Sequence, residues 1–233
     1  MDRDRNPVTQ TPSVPLASRG KGQRKIAVNI ALIPPKEIIQ FAIELNRSFP
    51  ETIEEDYVLD AETCMPHITV LMGLISPDTV LEVNARLESI VQKFSPLSLR
   101  ITGGSTFPHP DGKMFSSFVL EKTPHLQKFH ETVIEEVGPL FSWEGVETKM
   151  FYSPPPVKKI SSYWVKGFAK TSVRENYKPH ISLGFGELTR AFESVQFTAS
   201  TVALCHQGNY CTCRKIINSF PLIYKGDSRG LLL

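Results

Sequence analysis

Two short strings in this chain nearly repeat each other: Pro66-His67-Ile68-Thr69 and Pro179-His180-Ile181-Ser182. Each lies in an apolar stretch, MPHITVLMGL from Met65 and KPHISLGFGEL from Lys178. In an extended strand, residues two apart point to the same face. Each copy therefore presents one imidazole beside one hydroxyl. Two such surfaces brought together make a site of two histidines and two hydroxyls, a set suited to acid–base chemistry on a phosphate.

Hydrolysis of a cyclic phosphodiester needs a base to take a proton from water and an acid to protonate the departing ribose oxygen. Histidine suits both tasks, because its ordinary pKa lies near neutrality. One imidazole starts neutral and the other charged, and they exchange states during turnover. The Thr69 and Ser182 hydroxyls can donate to the nonbridging oxygens where charge develops, and a fixed donor of this kind contributes on the order of 3 kcal/mol. Lys178, two residues before His180, would project toward the same face and add positive charge. Neither motif has an acidic cluster beside it to hold a divalent metal, and the chemistry requires neither metal nor cofactor. A lone His-x-Thr is uninformative. Two copies that share a preceding proline, an intervening isoleucine and an apolar flank are not. His109, in a proline-flanked turn, and His125 and His130, on a predicted helix, read as surface groups.

The elements that must carry these motifs alternate between short strands and amphipathic helices. Lys25–Ile33 (KIAVNIALI) reads as a strand closed by Pro34-Pro35, followed by a helix from Lys36 to about Phe49. Ser76-Pro77-Asp78 reads as a helix start, with proline in its first turn. Leu97–Ile101 and Met114–Leu120 read as strands flanking a turn-rich Gly103–Gly112 stretch, and Pro124 opens another helix. Gly145–Pro156 reads as irregular, because Pro154-Pro155-Pro156 suits neither helix nor central strand. Tyr163–Phe168 reads as a strand. TASTVALCHQ and YCTCRKII read as two strands around a Gly208-Asn209 turn. The motif strands have one chemically equipped polar face, which argues against a parallel sheet buried on both sides. No Gly-rich phosphate loop follows an early strand. The expectation is α+β with antiparallel sheets, in two similar halves that face each other across a groove.

The chain has 233 residues, 41% apolar and 21% charged, with a net charge of +2. Those values describe an ordinary globular protein without the strong field that long nucleic acid demands, so any RNA would be met locally, in a cleft. No apolar run approaches the ~20 residues that cross a bilayer, and the N-terminus lacks the apolar core of a secretion signal. The expectation is a cytoplasmic monomer. Residues 1–24 are rich in Pro, Ser, Thr and charge, and read as a flexible tail ahead of one domain over 25–233. Arg19, Lys21, Arg24 and Lys25 form a small basic cluster there. Cys205, His206, Cys211 and Cys213 invite a zinc reading, but the Cys211-x-Cys213 gap is too short for the common knuckle. With Cys64 remote in sequence, the cysteines read as buried free thiols acting as small hydrophobes.

The paired His67-Ile68-Thr69 and His180-Ile181-Ser182 resemble the H-x-[T/S] signature of the 2H phosphoesterase superfamily, within it the 2′-5′ RNA ligase and cyclic nucleotide phosphodiesterase group. The resemblance runs from about Lys25 to Leu222. The 113 positions between the histidines (180 − 67) are many for the group, with Gly145–Ser162 the place for the excess. The resemblance implies a bilobal α+β fold, two antiparallel sheets lining a cleft with helices outside. It implies His67 and His180 as the catalytic pair and Thr69 and Ser182 as phosphate-binding groups. The implied reaction is metal-independent opening of 2′,3′-cyclic phosphates to 2′-phosphates, on RNA 3′ ends or nucleotides, with ligation of 2′-5′ linkages among the group's activities. Two rivals are a catalytically weak RNA- or nucleotide-binding module in the same cleft, and a zinc protein built on Cys205–Cys213.

Overall fold

The computed structural model describes residues 25–154, 156–189 and 193–223. The tail expected over residues 1–24 lies outside them. Eight strands among these residues form two four-stranded sheets, and every strand pairing within them is antiparallel. The first sheet holds β1 (Ile26–Ile33), β2 (Ile68–Ile75), β7 (Thr201–Gln207) and β8 (Cys213–Pro221) in the order β2-β1-β7-β8. The second holds β3 (Leu97–Pro108), β4 (Met114–Leu120), β5 (His180–Phe185) and β6 (Val195–Ala199) in the order β5-β4-β3-β6. The α+β expectation is met. Each motif strand, β2 and β5, is the edge of its own sheet, and the two edges touch.

The helices follow from sequence rules. α1 (Lys36–Arg47) begins after Pro35 and buries Ile38, Ala42, Ile43 and Asn46. The chain then turns into the short α2 (Pro50–Glu54), with proline in its first turn. α3 (Val80–Val91) buries Val83, Leu87, Ile90 and Val91. α4 (Pro124–Glu136) starts with Thr123 accepting a hydrogen bond from the Leu126 amide, a side-chain cap ahead of an N1 proline. One large core joins Val28, Ile30 and Leu32 of β1 to these helix faces and to Phe118, Phe129 and Phe185. Among the described residues, no helix is long and apolar enough to cross a membrane.

Several expectations need correction. Tyr163–Phe168 is not a strand but part of α5 (Lys159–Thr171), which buries Ser161, Ser162, Val165 and Phe168. Its apolar residues recur at helical spacing, a stripe that a six-residue window conceals. β3 does not stop at Ile101. It runs through Gly103-Gly104 to Pro108, because β4 pairs with it along that length, and the turn is confined to about His109–Lys113. The segment read as one strand, TASTVALCHQ, is split at Ser200. β6 pairs with β3 in one sheet, and β7 pairs with β1 in the other. A crossing between sheets leaves no mark in alternation.

His109 and His130 are not surface groups. His130 is 0% exposed, on the face of α4 that meets β2, and His109 is 5% exposed, packed among the rings of Phe115, Phe185, Trp164 and Tyr210. His125 is exposed, as expected, and stacks on Phe94. The cysteines are not all free. Cys205 of β7 and Cys213 at the start of β8 form a disulfide, with Cα atoms 5.6 Å apart. Cys64 and Cys211 remain thiols.

A buried ionic cluster ties loops from both halves. Glu55 accepts from Lys113 Nζ at 2.7 Å, and also from Lys158 and Tyr210. Burial raises its carboxyl pKa, but these bonds outweigh it and bring the group down to about 2. Lys113 ends the β3–β4 turn, Lys158 precedes α5 and Tyr210 belongs to the β7–β8 turn, so one carboxylate fixes three loops.

Candidate active site

The proline before each histidine has a structural consequence. His67 Nδ1 donates to the Met65 carbonyl at 2.9 Å, and His180 Nδ1 donates to the Lys178 carbonyl at 2.9 Å. In each motif the acceptor lies two residues back, across the proline. A carbonyl can only accept, so each Nδ1 carries the proton and each neutral ring leaves its Nε2 lone pair available. The repeated sequence thus produces a repeated tautomer. Met65 is itself held by a bond from its amide to the Cys213 carbonyl at 3.1 Å.

The two halves meet through the backbone of β2. Tyr177, just ahead of the second motif, donates its hydroxyl to the Thr69 carbonyl at 3.1 Å. His130 donates Nδ1–H to the next β2 carbonyl, Val70, at 2.9 Å, and its Nε2 accepts from the Arg174 amide. The His130 and Tyr177 rings stack with centroids 3.9 Å apart. An edge strand otherwise presents unpaired carbonyls. Here the segment leading into the second motif and α4 take two of them.

Each hydroxyl has a buried polar neighbour. Asn29, on β1, donates Nδ2 to Thr69 Oγ1 at 3.0 Å and lies 3.0 Å from His67 Nε2. Tyr57, buried in the loop after α2, lies beside Ser182. On the second side, Asn46 of α1 donates to the Leu183 carbonyl at 2.7 Å and the Tyr57 carbonyl at 2.9 Å, and accepts from the Leu59 amide at 2.8 Å. Gly184 allows this approach. Its φ is +125°, and a Cβ there would sit 2.6 Å from Thr52 Oγ1.

The electrostatics of the free protein favour neutral rings. Burial pushes His67 down to about 4, against the Met65 hydrogen bond, and charge on His180 depresses it further. His180 is lowered too, by the protein packed around its ring, although the residue is exposed to solvent. The two imidazoles are therefore close enough to feel each other's charge. Lys178 is exposed, and β5 begins only at His180, so the same-face rule does not reach it; its carbonyl accepts the His180 Nδ1 bond. Among the described residues, no group of three or more His, Cys, Asp or Glu is placed to hold a metal.

A family model described as the 2′-5′ RNA ligase superfamily matches residues 34–204. The chain belongs to that superfamily. With it comes the coarse assignment: this is a 2H phosphoesterase-type protein. The fold is that of TT0787 from Thermus thermophilus, at 13% identity, covering 86% of this chain and 100% of that one with a TM-score of 0.53. It is also that of Escherichia coli LigT solved with NADP+, at 10% identity, 86% and 99% coverage and a TM-score of 0.50. No curated protein matches the chain by sequence.

In this 2′-5′ RNA ligase superfamily member, the motif spacing does not reach Asn29, Tyr57, His130 or Tyr177. Asn29 has a signal: it is the one polar residue inside the strand IAVNIALI. The others come from loops and a helix, where nothing in local spacing points at β2 or β5.

Proposed function

We propose that this protein opens 2′,3′-cyclic phosphates, on RNA 3′ ends or free nucleotides, to 2′-phosphates without a metal. His67 and His180 exchange the protons, and the Thr69 and Ser182 hydroxyls hold the nonbridging oxygens. Water attacks phosphorus as one Nε2 takes its proton, the bond to the ribose 3′-oxygen breaks, and the other Nε2–H protonates that oxygen. The same step, with a ribose 5′-hydroxyl in place of water as the attacking group, forms a 2′-5′ linkage. Lys178, exposed two residues before His180, adds positive charge for an incoming anionic substrate.

The observation that carries this reading is the matched pair of Nδ1 bonds to Met65 and Lys178, which leaves two Nε2 atoms for proton transfer on touching strands. A module that only bound RNA would not need both imidazoles set in the same tautomer. The test is incubation with a 2′,3′-cyclic-phosphate oligonucleotide in EDTA. Formation of a 2′-phosphate end is expected. Tight binding without turnover would overturn the reading in favour of a binding module, and turnover lost to chelation and restored by zinc would overturn it in favour of a metalloenzyme.

A further inference from the structure

The two motif histidines differ at the nitrogen that matters. His180 Nε2 has no hydrogen-bond partner among the described residues, whereas His67 Nε2 lies 3.0 Å from the Asn29 amide nitrogen. Asn29 is 0% exposed, and its Nδ2 also donates to Thr69 Oγ1 at 3.0 Å. Its Oδ1 is buried without a partner. The side chain stands on β1, N-terminal to residues 34–204 that define the family match.

We propose that Asn29 is a positioning residue that holds His67 in its neutral form, which makes His67 the base and His180 the acid. This assignment of roles rests on the cyclic-phosphodiesterase reading above. Because Met65 fixes the proton on Nδ1, the neutral His67 ring offers only a lone pair at Nε2, and an amide N–H is its complement. A charged ring would carry N–H on both nitrogens and would point one of them at a donor. Turning the amide over would bring Oδ1 to that N–H, but would leave both amide hydrogens buried and unpaired. The observed orientation leaves one acceptor unpaired instead, the smaller penalty. Asn29 therefore favours an unprotonated His67, in line with the burial that already pushes this ring down to about 4.

The same amide serves the phosphate side. By filling an acceptor site on Thr69 Oγ1, it frees the hydroxyl hydrogen to point at a nonbridging oxygen. As the attacking water arrives, His67 Nε2 exchanges the Asn29 N–H for the water's O–H and takes that proton. His180, unhindered at Nε2, is the ring that an anionic phosphate keeps protonated, and it gives its proton to the departing ribose oxygen. Solvent exchange restores both rings.

Asn29→Asp tests this, because a carboxylate of nearly the same shape can only accept. It would pair with a protonated His67 and draw the Thr69 hydroxyl away from the phosphate. The expected result is an upward shift of the His67 ring titration, followed by NMR in the free protein, of roughly 1–3 pH units. The acid limb of the kcat/KM profile should move by the same amount and the basic limb should not follow it upward. If the Asp variant does not fold, Asn29→Ala should shift the same titration upward by less. A loss of rate equal at all pH values, with the His67 titration unmoved, would overturn the proposal and show Asn29 to be structural. A shifted His67 titration in a protein whose wild type opens no cyclic phosphate would overturn the functional reading while upholding the hold of Asn29 on His67.

Discussion

The first motif and the second share proline, histidine, isoleucine and a hydroxyl, and each sits at the edge of a four-stranded sheet. Their surroundings are unequal. His67 is half-buried, its Nε2 meets Asn29, and the Thr69 and Val70 carbonyls of β2 are taken by Tyr177 and His130. His180 is exposed, and the support on its side lies behind the strand, where Asn46 binds the Leu183 carbonyl. The difference teaches that a repeated motif sets tautomer and tether alike, while neighbouring elements decide what each ring's Nε2 meets. Symmetry in sequence has become asymmetry in surroundings.

The comparison can be broken first at the hydroxyls. Thr69→Ala and Ser182→Ala should each lower kcat on a 2′,3′-cyclic phosphate by about 10–10³-fold, with the fold intact by circular dichroism. A variant that raised KM alone would show that its hydroxyl binds ground state and transition state equally.

The back of the second half can be broken next. Asn46→Ala strips partners from three buried backbone groups and should cost roughly 2–4 kcal/mol in urea unfolding, with an unchanged m-value. A cost below ~1 kcal/mol would mean that water replaces the amide there.

The clamp on the first half is weaker. Tyr177→Phe keeps the ring stacked on His130 but removes the bond to the Thr69 carbonyl. It should lose about 1 kcal/mol of stability and lower kcat more than it raises KM. No loss in Tyr177→Phe, with the loss appearing only in the fully unstacked Tyr177→Ala, would argue against the hydrogen bond.

The smallest effect is a slope. His67 and His130 are both pushed by burial to about 4 from the ordinary 6.5. Between those values the unfolded chain binds more protons than the folded one. Stability is therefore complete above about pH 6.5, declines as pH falls, and the contribution is gone once pH has passed through about 4. Unfolding measured across that window should be steeper for the wild type than for His130→Gln. A wild type whose stability is flat across the same window would contradict buried neutral rings.

Much of this architecture is legible in the chain. The motif repeat announces two equipped strands, the Thr123-Pro124 helix start falls where proline and a capping residue place it, and Pro77 opens the short turn that leads into α3. What is illegible depends on distant pairing. The Cys205–Cys213 bond needs the β7–β8 pairing, and the burial of His130 needs α4 to lie on β2. The length of β3 needs a partner strand to hold Gly103-Gly104 extended. α5 is hidden for a local reason, since six residues cannot separate a period of two from one of 3.6. At the site, the two motifs are named by type and spacing, whereas Tyr177, which binds the Thr69 carbonyl, carries no pattern of its own.

The central claim is that His67 and His180 act as one proton-exchanging pair. It is tested most directly by single-turnover opening of a 2′,3′-cyclic-phosphate oligonucleotide in EDTA, by the wild type, His67→Ala, His180→Ala and the double variant. Each single variant should lose about 10²–10⁴-fold, and the double variant should be scarcely slower than either, because removing one partner already stops the exchange. Near-normal turnover by either single variant, or losses that multiply in the double, would contradict the account.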